Sequence, residues 1–182
     1  NKIGKTAREI MPIIKQIFIG NNDDSKIENL EQKLYLIRKR FEKISSEKFD
    51  KDINQQVYVC SLSSTKIVYK GLLTSEQVQE FYLDLQNPNL KSNFGLVHSR
   101  FSTNTLGDWK LAHPYRFVAH NGEINTVKGN RNWMSSRESI LNSNNYGEGI
   151  KDLFPICDQN DSDTASFDNV FELLNLGGRN LE

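Results

Sequence analysis

The sequence predicts an α+β protein that combines helices and strands in one domain. Two patterns predict this class. Apolar residues recur every three or four positions over residues 26–45, as in an amphipathic helix. β-Branched and aromatic residues dominate the short runs 55–61 and 66–73, as in strands. The length of 182 residues fits a single domain or a large part of one.

The first half of the chain should contain one strand and one long helix. Residues 13–19 form an apolar run that we expect to be a strand or a buried extended segment. The helix at 26–45 has one apolar stripe, which we expect to pack on its own domain rather than on a coiled-coil partner. The stripe consists of Ile27, Leu30, Leu34, Ile37, Phe41 and Ile44.

A hairpin and a short helix should follow. The runs 55–61 and 66–73 flank a Ser-Ser-Thr sequence, and this arrangement favours a hairpin. Thr74 or Ser75 can cap a helix over residues 76–85, because a hydroxyl oxygen accepts a hydrogen bond from a free backbone N–H of the first turn.

The second half should add two short strands and two helices. Residues 94–99 and 117–119 resemble buried strands, and each leads into a cluster of polar residues, where scaffolds often display functional groups. One helix is predicted over 126–141, and another begins near Asp161 and ends at Gly177. We interpret the basic residues of the first of these helices as a solvated face: Lys128, Arg131 and Arg137.

Composition and charge argue against several classes of protein. The 23 Lys and Arg residues balance the 23 Asp and Glu residues, unlike in a basic nucleic-acid-binding protein. No apolar run is long enough to cross a membrane. Cys60 and Cys157 make no disulfide framework, fit a reducing compartment and are expected to be small buried apolar groups rather than nucleophiles. The three histidines match no metal-ligand spacing, so no metal site is predicted.

Three polar sites carry candidate chemistry. Arg100, at the end of a predicted strand, can hold a carboxylate through two parallel hydrogen bonds. Asn121 and Gly122 can offer a side-chain N–H and a backbone N–H to one oxygen, as an oxyanion hole does. Asp163 can receive an ammonium group. Together these groups fit an α-amino acid with a reacting side-chain carbonyl, although an ion pair, a tight turn and a helix cap would explain them separately.

Longer motifs resemble the class II glutamine amidotransferase domain of glutamate synthase large chains. They lie at 97–105 (VHSRFSTNT), 116–126 (RFVAHNGEINT), 129–134 (GNRNWM) and 162–169 (SDTASFDN). The resemblance implies the fold of N-terminal nucleophile hydrolases, a four-layer αββα sandwich, which would be incomplete here. Residues 1–182 would then be part of a single type-2 glutamine amidotransferase domain, without its N-terminal strands, its catalytic cysteine and its C-terminal remainder.

The resemblance implies binding and hydrolysis of L-glutamine. Arg100 would bind the α-carboxylate, Asp163 would bind the α-ammonium group, and Thr103 would line the pocket. The products are glutamate and ammonia, which passes to 2-oxoglutarate in the downstream synthase domains of the same chain. In the family those domains carry FMN and an iron–sulfur cluster, and they receive electrons from ferredoxin or from an NADPH-dependent subunit. We expect no cofactor within this chain.

The oxyanion hole implied by the resemblance consists of Asn121 and Gly122, with His120 orienting their loop. The family's nucleophile is a cysteine that is the first residue of the mature chain, and its own α-amino group acts as the base. This sequence begins with Asn1 instead. We therefore expect an internal piece of a longer enzyme that releases no ammonia from glutamine by itself.

A second hypothesis remains open: a non-catalytic module that keeps the fold and binds only an amino acid or a partner. The long motif at 129–134 argues against other class II amidotransferases. We expect neither nucleic acid nor a membrane as a partner, and we expect the cytoplasm or the plastid stroma as the compartment.

Overall fold

A computed structural model describes residues 3–20, 29–49, 57–99, 107–159 and 161–180. Its described residues contain the α-helices α1 (Lys5–Glu9), α2 (Leu30–Lys48), α3 (Ser75–Phe81), α4 (Val127–Glu138) and α5 (Asp163–Leu176). They also contain two 3-10 helices, Leu83–Gln86 and Gly147–Leu153. The helices predicted from residues 26, 76, 126 and 161 onward are thus confirmed, with ends that differ by a few residues.

Side chains at the helix ends explain where α3 and α5 begin. The backbone N–H of Thr74, the N-cap of α3, donates to Oε1 of Gln77 at 2.9 Å, as in a capping box. The hydroxyl oxygen of Ser162, the N-cap of α5, accepts from the backbone N–H of Ala165 at 3.1 Å. After α5, Gly178 has a φ of 96°, a left-handed conformation that favours glycine beyond a helix end.

The predicted α+β class and the four-layer αββα sandwich are wrong for the described residues, none of which lies in a β-strand. A strand needs a ladder of backbone hydrogen bonds with a neighbour. In the expected hairpin, the N–H of Val68 donates instead to the hydroxyl of Ser61 at 3.2 Å. The N–H groups of Phe117 and Val118 donate to the carboxylate of Asp168 at 2.7 and 3.2 Å. Side-chain oxygens therefore accept these backbone N–H groups, which are not free to pair with a neighbouring strand.

Two further segments predicted to be buried strands are exposed and irregular. Residues 13–19 have no regular secondary structure, and Phe18 exposes 85% of its surface. In the run 94–99, Val97 exposes 87%. Apolar character alone predicted burial, but neither segment lies over a core in this structure, so the prediction is wrong for both.

The main core lies where α2, the 3-10 helix Gly147–Leu153 and α5 meet. Its buried members are Tyr35, Tyr146, Ile150, Leu153, Ile156, Cys157, Leu173 and Leu176. Of the stripe predicted to be the buried face of α2, Ile27 lies outside the described residues, Leu30 and Leu34 are half-buried, and Ile37, Phe41 and Ile44 are exposed. The predicted buried face of α2 is therefore wrong. The side of α2 that is buried instead carries Arg38, which is only 2% exposed.

An ion network explains why an arginine is buried on α2. Nη1 of Arg38 lies 2.7 Å from Glu42, and its Nη2 donates to Glu172 of α5. Arg116 joins the same network through Glu172 at 2.9 Å and Asp168 at 3.0 Å. Buried charges are tolerated where they are paired and hydrogen-bonded. The network therefore joins α2, α5 and the chain around residue 116.

A smaller core surrounds the indole of Trp109, which is 1% exposed. Its Nε1 donates to the backbone carbonyl of Ala7 at 2.8 Å. Gly71 lies directly against the ring: a Cβ at this position would be 2.4 Å from Cζ3 of Trp109. The other members of this core are Leu72 and Leu73, with Ile3, Val78, Phe81 and Tyr82 packed around them. The absence of a side chain at Gly71 makes room for the indole.

Candidate functional site

Asp163, at the start of α5, contacts the loop that contains Asn121 and Gly122. Its Oδ2 accepts a hydrogen bond from the backbone N–H of Ile124 at 2.5 Å. Its Oδ1 accepts from the backbone N–H and the hydroxyl of Thr164, at 2.7 and 3.3 Å. Two of the three polar sites predicted from the sequence are therefore neighbours in the structure.

The beginning of the same loop is also bonded to α5. Oδ1 of Asp168 accepts from the backbone N–H groups of Phe117 and Val118. Just before them, the hydroxyl groups of Tyr115 and Ser162 lie 3.0 Å apart and share a hydrogen bond. The loop is thus attached to one helix at both of its ends.

His120 and Gly122 are in contact, whereas the side chain of Asn121 is exposed. A Cβ at Gly122 would lie 3.2 Å from Cε1 of His120, so the imidazole occupies the space beside the glycine. Nδ1 of His120 is buried and has no hydrogen-bond partner in the described part of the chain. The exposed amide of Asn121 can donate to a ligand oxygen from this surface.

His113 packs against two other rings near this region. Its ring centroid is 4.7 Å from that of His98 and 5.0 Å from that of Tyr115. Burial, together with the nearby His98, lowers the pKa of His113 to about 4, because a charged imidazolium would lose its hydration. At neutral pH this ring therefore adds no positive charge beside the loop.

Lys70 is a buried cation close to the same region. Its Nζ donates to the carbonyl of Lys110 at 2.6 Å and lies 4.5 Å from the ring centroid of Tyr115. Burial lowers the pKa of Lys70 to about 8.

The two cysteines have the environment of unreactive thiols. Cys157 is buried in the main core, and Cys60 is half-buried. Burial raises the pKa of both thiols, that of Cys157 to about 11. Because the thiolate is the reactive form, both groups are poor nucleophiles at neutral pH. This agrees with the expectation that they are small apolar groups.

Two residues that support the site were not predicted from the sequence. Arg131 is not on a solvated face: its guanidinium donates to Ser166 Oγ at 2.9 Å, to the carbonyl of Gln159 at 3.1 Å and to the carbonyl of Asp161. These bonds hold the segment before α5 against α4. The second residue is Asp168. Arg131 lies in the motif at 129–134 and Asp168 in the motif at 162–169, and this membership was the only indication of their importance available from the sequence.

The remaining predicted site residues, Arg100 and Thr103, lie outside the described residues, so their roles stay predictions. Among the residues that the structure does describe, no group of three or more His, Cys, Asp or Glu side chains is arranged to hold a metal ion. Within the same ranges, no helix has the length and apolar character needed to cross a membrane.

Comparison with known proteins relates the whole chain to one family. The family described as glutamine amidotransferases class-II matches residues 1–182. Glutamate synthase (NADPH) large chain of Bacillus subtilis (strain 168) is 48% identical over 180 residues, which cover 98% of this chain and 11% of the relative.

Two eukaryotic relatives show the same relationship. Ferredoxin-dependent glutamate synthase, chloroplastic, of Oryza sativa subsp. japonica is 45% identical over 177 residues, covering 97% of this chain and 11% of the relative. Glutamate synthase (NADH) of Saccharomyces cerevisiae is 43% identical over 169 residues, which cover 93% of this chain and 8% of the relative. The chain therefore spans about a tenth of the length of the curated relatives it matches.

Proposed function

The chain belongs to the class-II glutamine amidotransferase family, and we propose from this that it is part of the glutaminase domain of a glutamate synthase. In the complete polypeptide this domain hydrolyses L-glutamine to glutamate and ammonia, and the ammonia is added to 2-oxoglutarate. The family match over the whole chain carries the proposal. The bond between Asp163 and Ile124 supports it, because it brings the proposed ammonium-binding carboxylate next to the proposed oxyanion hole.

Asp163 is proposed to bind the α-ammonium group of glutamine. A carboxylate has about four lone-pair positions. The bonds from Ile124 and Thr164 use three of them, which leaves capacity for one N–H of a ligand. Arg100 binds the α-carboxylate as a planar fork, and Thr103 forms part of the pocket wall.

Asn121 and Gly122 are proposed to stabilise the oxyanion of the reaction. A thiolate from another part of the polypeptide attacks the γ-carboxamide carbon, and the carbonyl oxygen becomes negatively charged in the tetrahedral intermediate. The Asn121 side chain and the Gly122 backbone N–H donate to this oxygen. The C–N bond then breaks, ammonia leaves with a proton from the base, and water hydrolyses the thioester. His120 orients the loop through its contact with Gly122.

The proposed domain organisation places the rest of the enzyme outside residues 1–182. This chain is part of one type-2 glutamine amidotransferase domain, and its nucleophilic cysteine is proposed to lie elsewhere in the polypeptide because burial raises the pKa of both Cys60 and Cys157. FMN and an iron–sulfur cluster belong to the downstream synthase domains, which receive electrons from ferredoxin or from an NADPH-dependent subunit. The proposed compartment is the cytoplasm or the plastid stroma.

The test is release of ammonia from glutamine by the complete polypeptide. We expect Asn121→Ala to lower kcat by about 10²–10³, the usual loss for one oxyanion donor. Asn142→Ala, at an exposed asparagine outside the motifs, is the matched control and should leave kcat unchanged. A wild-type protein that binds glutamine without hydrolysing it would instead indicate the non-catalytic module, and unchanged kinetics in Asn121→Ala would remove this residue from the oxyanion hole.

Residues 1–182 alone provide a second test. We expect no ammonia release from this chain, because Cys60 and Cys157 are buried or half-buried thiols with raised pKa values. Turnover by the isolated chain that Cys60→Ala or Cys157→Ala abolishes would contradict the proposed location of the nucleophile.

A further inference from the structure

Asp168 is a fully buried carboxylate that, among the described residues, makes its hydrogen bonds and its ion pair with residues 116–118. Its side chain is 0% exposed. Oδ1 accepts from the backbone N–H groups of Phe117 and Val118, at 2.7 and 3.2 Å. Oδ2 lies 3.0 Å from Nη2 of Arg116 in an ion pair. Oδ2 makes no hydrogen bond among the described residues, so the two bonds at Oδ1 and the ion pair with Arg116 are what offset the lost hydration and attach residues 116–118 to α5.

The other end of the loop is held by the same helix. Asp163, five residues before Asp168 on α5, accepts the hydrogen bond from Ile124. With a rise of 1.5 Å per residue, the two carboxylates are separated by about 8 Å along the helix axis. The six residue steps from Val118 to Ile124 could span about 20 Å if extended. Residues 118 and 124 are thus both attached to α5, and Asn121 lies midway between them in the sequence.

Arg116 is itself fixed, so the attachment of the loop to Asp168 is well supported. Its Nε donates to Glu172 at 2.9 Å, and its Nη2 donates to Oδ1 of Asn169 at 2.6 Å. Glu172 also accepts from Arg38 of α2. The start of the loop is thereby connected through α5 to the main core.

We propose that Asp168 is a positioning residue for the oxyanion loop, defined here as residues 117–124. It acts on glutamine hydrolysis only through the backbone that leads into Asn121 and Gly122, and this role rests on the proposed function. Oxyanion donors must lie about 2.7–3.1 Å from the oxygen that they stabilise. A displacement of about 1 Å can cost roughly 100-fold in rate. The carboxylate pair of α5 keeps the loop within that tolerance.

The experiment compares two variants that each break a buried ion pair, in the complete polypeptide. Asp168→Ala removes the acceptor for the loop amides, whereas Arg38→Ala removes a buried guanidinium of α2 that bonds to Glu42 and Glu172 but to no loop amide. We expect Asp168→Ala to lower kcat by about 10- to 100-fold while KM for glutamine changes by less than about threefold. Arg38→Ala should destabilise the domain, but its folded fraction should keep a kcat close to that of the wild type. Asp168→Asn, which keeps an acceptor oxygen, should recover most of the lost rate.

Hydrogen exchange provides a readout that does not depend on activity. In the wild type, the amides of Phe117, Val118 and Ile124 should exchange slowly, and Asp168→Ala should speed exchange at the first two. Equal losses of kcat in Asp168→Ala and Arg38→Ala would overturn the proposal, because both would then act through general stability. Fast exchange of the three wild-type amides would overturn it even if both alanine variants fail to fold. A wild type that hydrolyses no glutamine overturns the proposed function and the catalytic part of this role, whereas protected amides would still support the attachment.

Discussion

The carboxylate of Asp163 and the backbone N–H of Ile124 form a hydrogen bond of 2.5 Å that joins the start of α5 to the end of the oxyanion loop. One side chain thus contacts the loop and still has capacity to bind a ligand. In a glutaminase this arrangement would couple recognition of the amino group to the position of the oxyanion donors. Separate substitutions can distinguish the two contributions.

Asp163→Asn should separate the charge of this residue from its hydrogen bond to the loop. The variant keeps one acceptor oxygen, which can serve Ile124 if its NH2 group faces Thr164, but it loses the negative charge proposed to face the α-ammonium group. Hydrogen bonds to charged groups contribute about 1.5–3 kcal/mol, so we expect kcat/KM for glutamine to fall roughly 10- to 100-fold, mainly through KM. Steady-state kinetics of the complete polypeptide measures this.

Asp161→Asn is the matched control for that variant. Its carboxylate lies two residues earlier and is 3.5 Å from Nζ of Lys110. Normal kinetics are expected. If Asp163→Asn lowers kcat and leaves KM unchanged, Asp163 acts on the loop and not on the substrate.

Arg38→Ala should destabilise the domain strongly, although Arg38 lies on a helix surface rich in charges. Its guanidinium is 2% exposed and pairs with both Glu42 and Glu172. Removing one partner of a buried pair costs about 3–5 kcal/mol, because the other charge stays buried. Arg40→Ala removes a guanidinium that pairs with Asp152 at a largely exposed position, where the cost is about 0–1 kcal/mol. Denaturant titration of both variants measures the difference, and equal values would show that the buried network adds no stability.

The case of Arg38 illustrates what the sequence could predict about α2. The spacing of apolar residues predicted the helix itself, since a period of 3.6 residues is a property of the helix alone. It did not predict the buried face. That face depends on Glu172, 134 positions away in the sequence, which makes burial of an arginine favourable. No local pattern contains this information.

The strands show the same limit. The run at 66–73 has the composition of a strand, but a strand also needs a partner for its backbone groups. In this run the hydroxyl of Ser61 accepts the N–H of Val68, and in the run 117–119 the carboxylate of Asp168 accepts the N–H groups of Phe117 and Val118. For the site, the motifs predicted Asp163 and the loop at 121–122; the structure shows a hydrogen bond to Asp163 from the backbone N–H of Ile124 in that loop, and the roles of these residues stay predictions. Asp168 lies in the same motif, yet only its contacts reveal its role.

Gly71→Ala should destabilise the smaller core. The added methyl group would lie 2.4 Å from a carbon of the rigid, buried indole of Trp109, and overpacking of this kind costs about 1–3 kcal/mol. Gly129→Ala is the matched control, because a Cβ there meets nothing within 4 Å and the residue lies within α4. Alanine in a helix is favoured over glycine by about 0.8–1.0 kcal/mol. The Tm should therefore fall for Gly71→Ala and rise for Gly129→Ala. A shift of the same sign in both variants would contradict the packing around Trp109.

Lys70 should make the stability of the domain depend on pH in an unusual range. Burial lowers its pKa from 10.5 to about 8 in the folded state. Between these two values the unfolded chain binds more protons than the folded one, so the free energy of unfolding gains a contribution that rises with pH. Relative to Lys70→Met, the wild type should gain about 2 kcal/mol between pH 7 and pH 9.5.

Comparing wild type with Lys70→Met at both pH values isolates this effect from other groups that titrate in alkaline solution. The thiol of Cys60 and the phenol of Tyr82 have raised pKa values, and such groups lower stability as pH rises. Both groups are present in wild type and variant, so their direct contributions cancel in the difference. The hydrogen bond from Nζ to Lys110 persists when the amine is neutral, because a neutral amine still donates. Parallel pH dependences in the two proteins would mean that Lys70 titrates normally, and its Nζ would then have to be in contact with water.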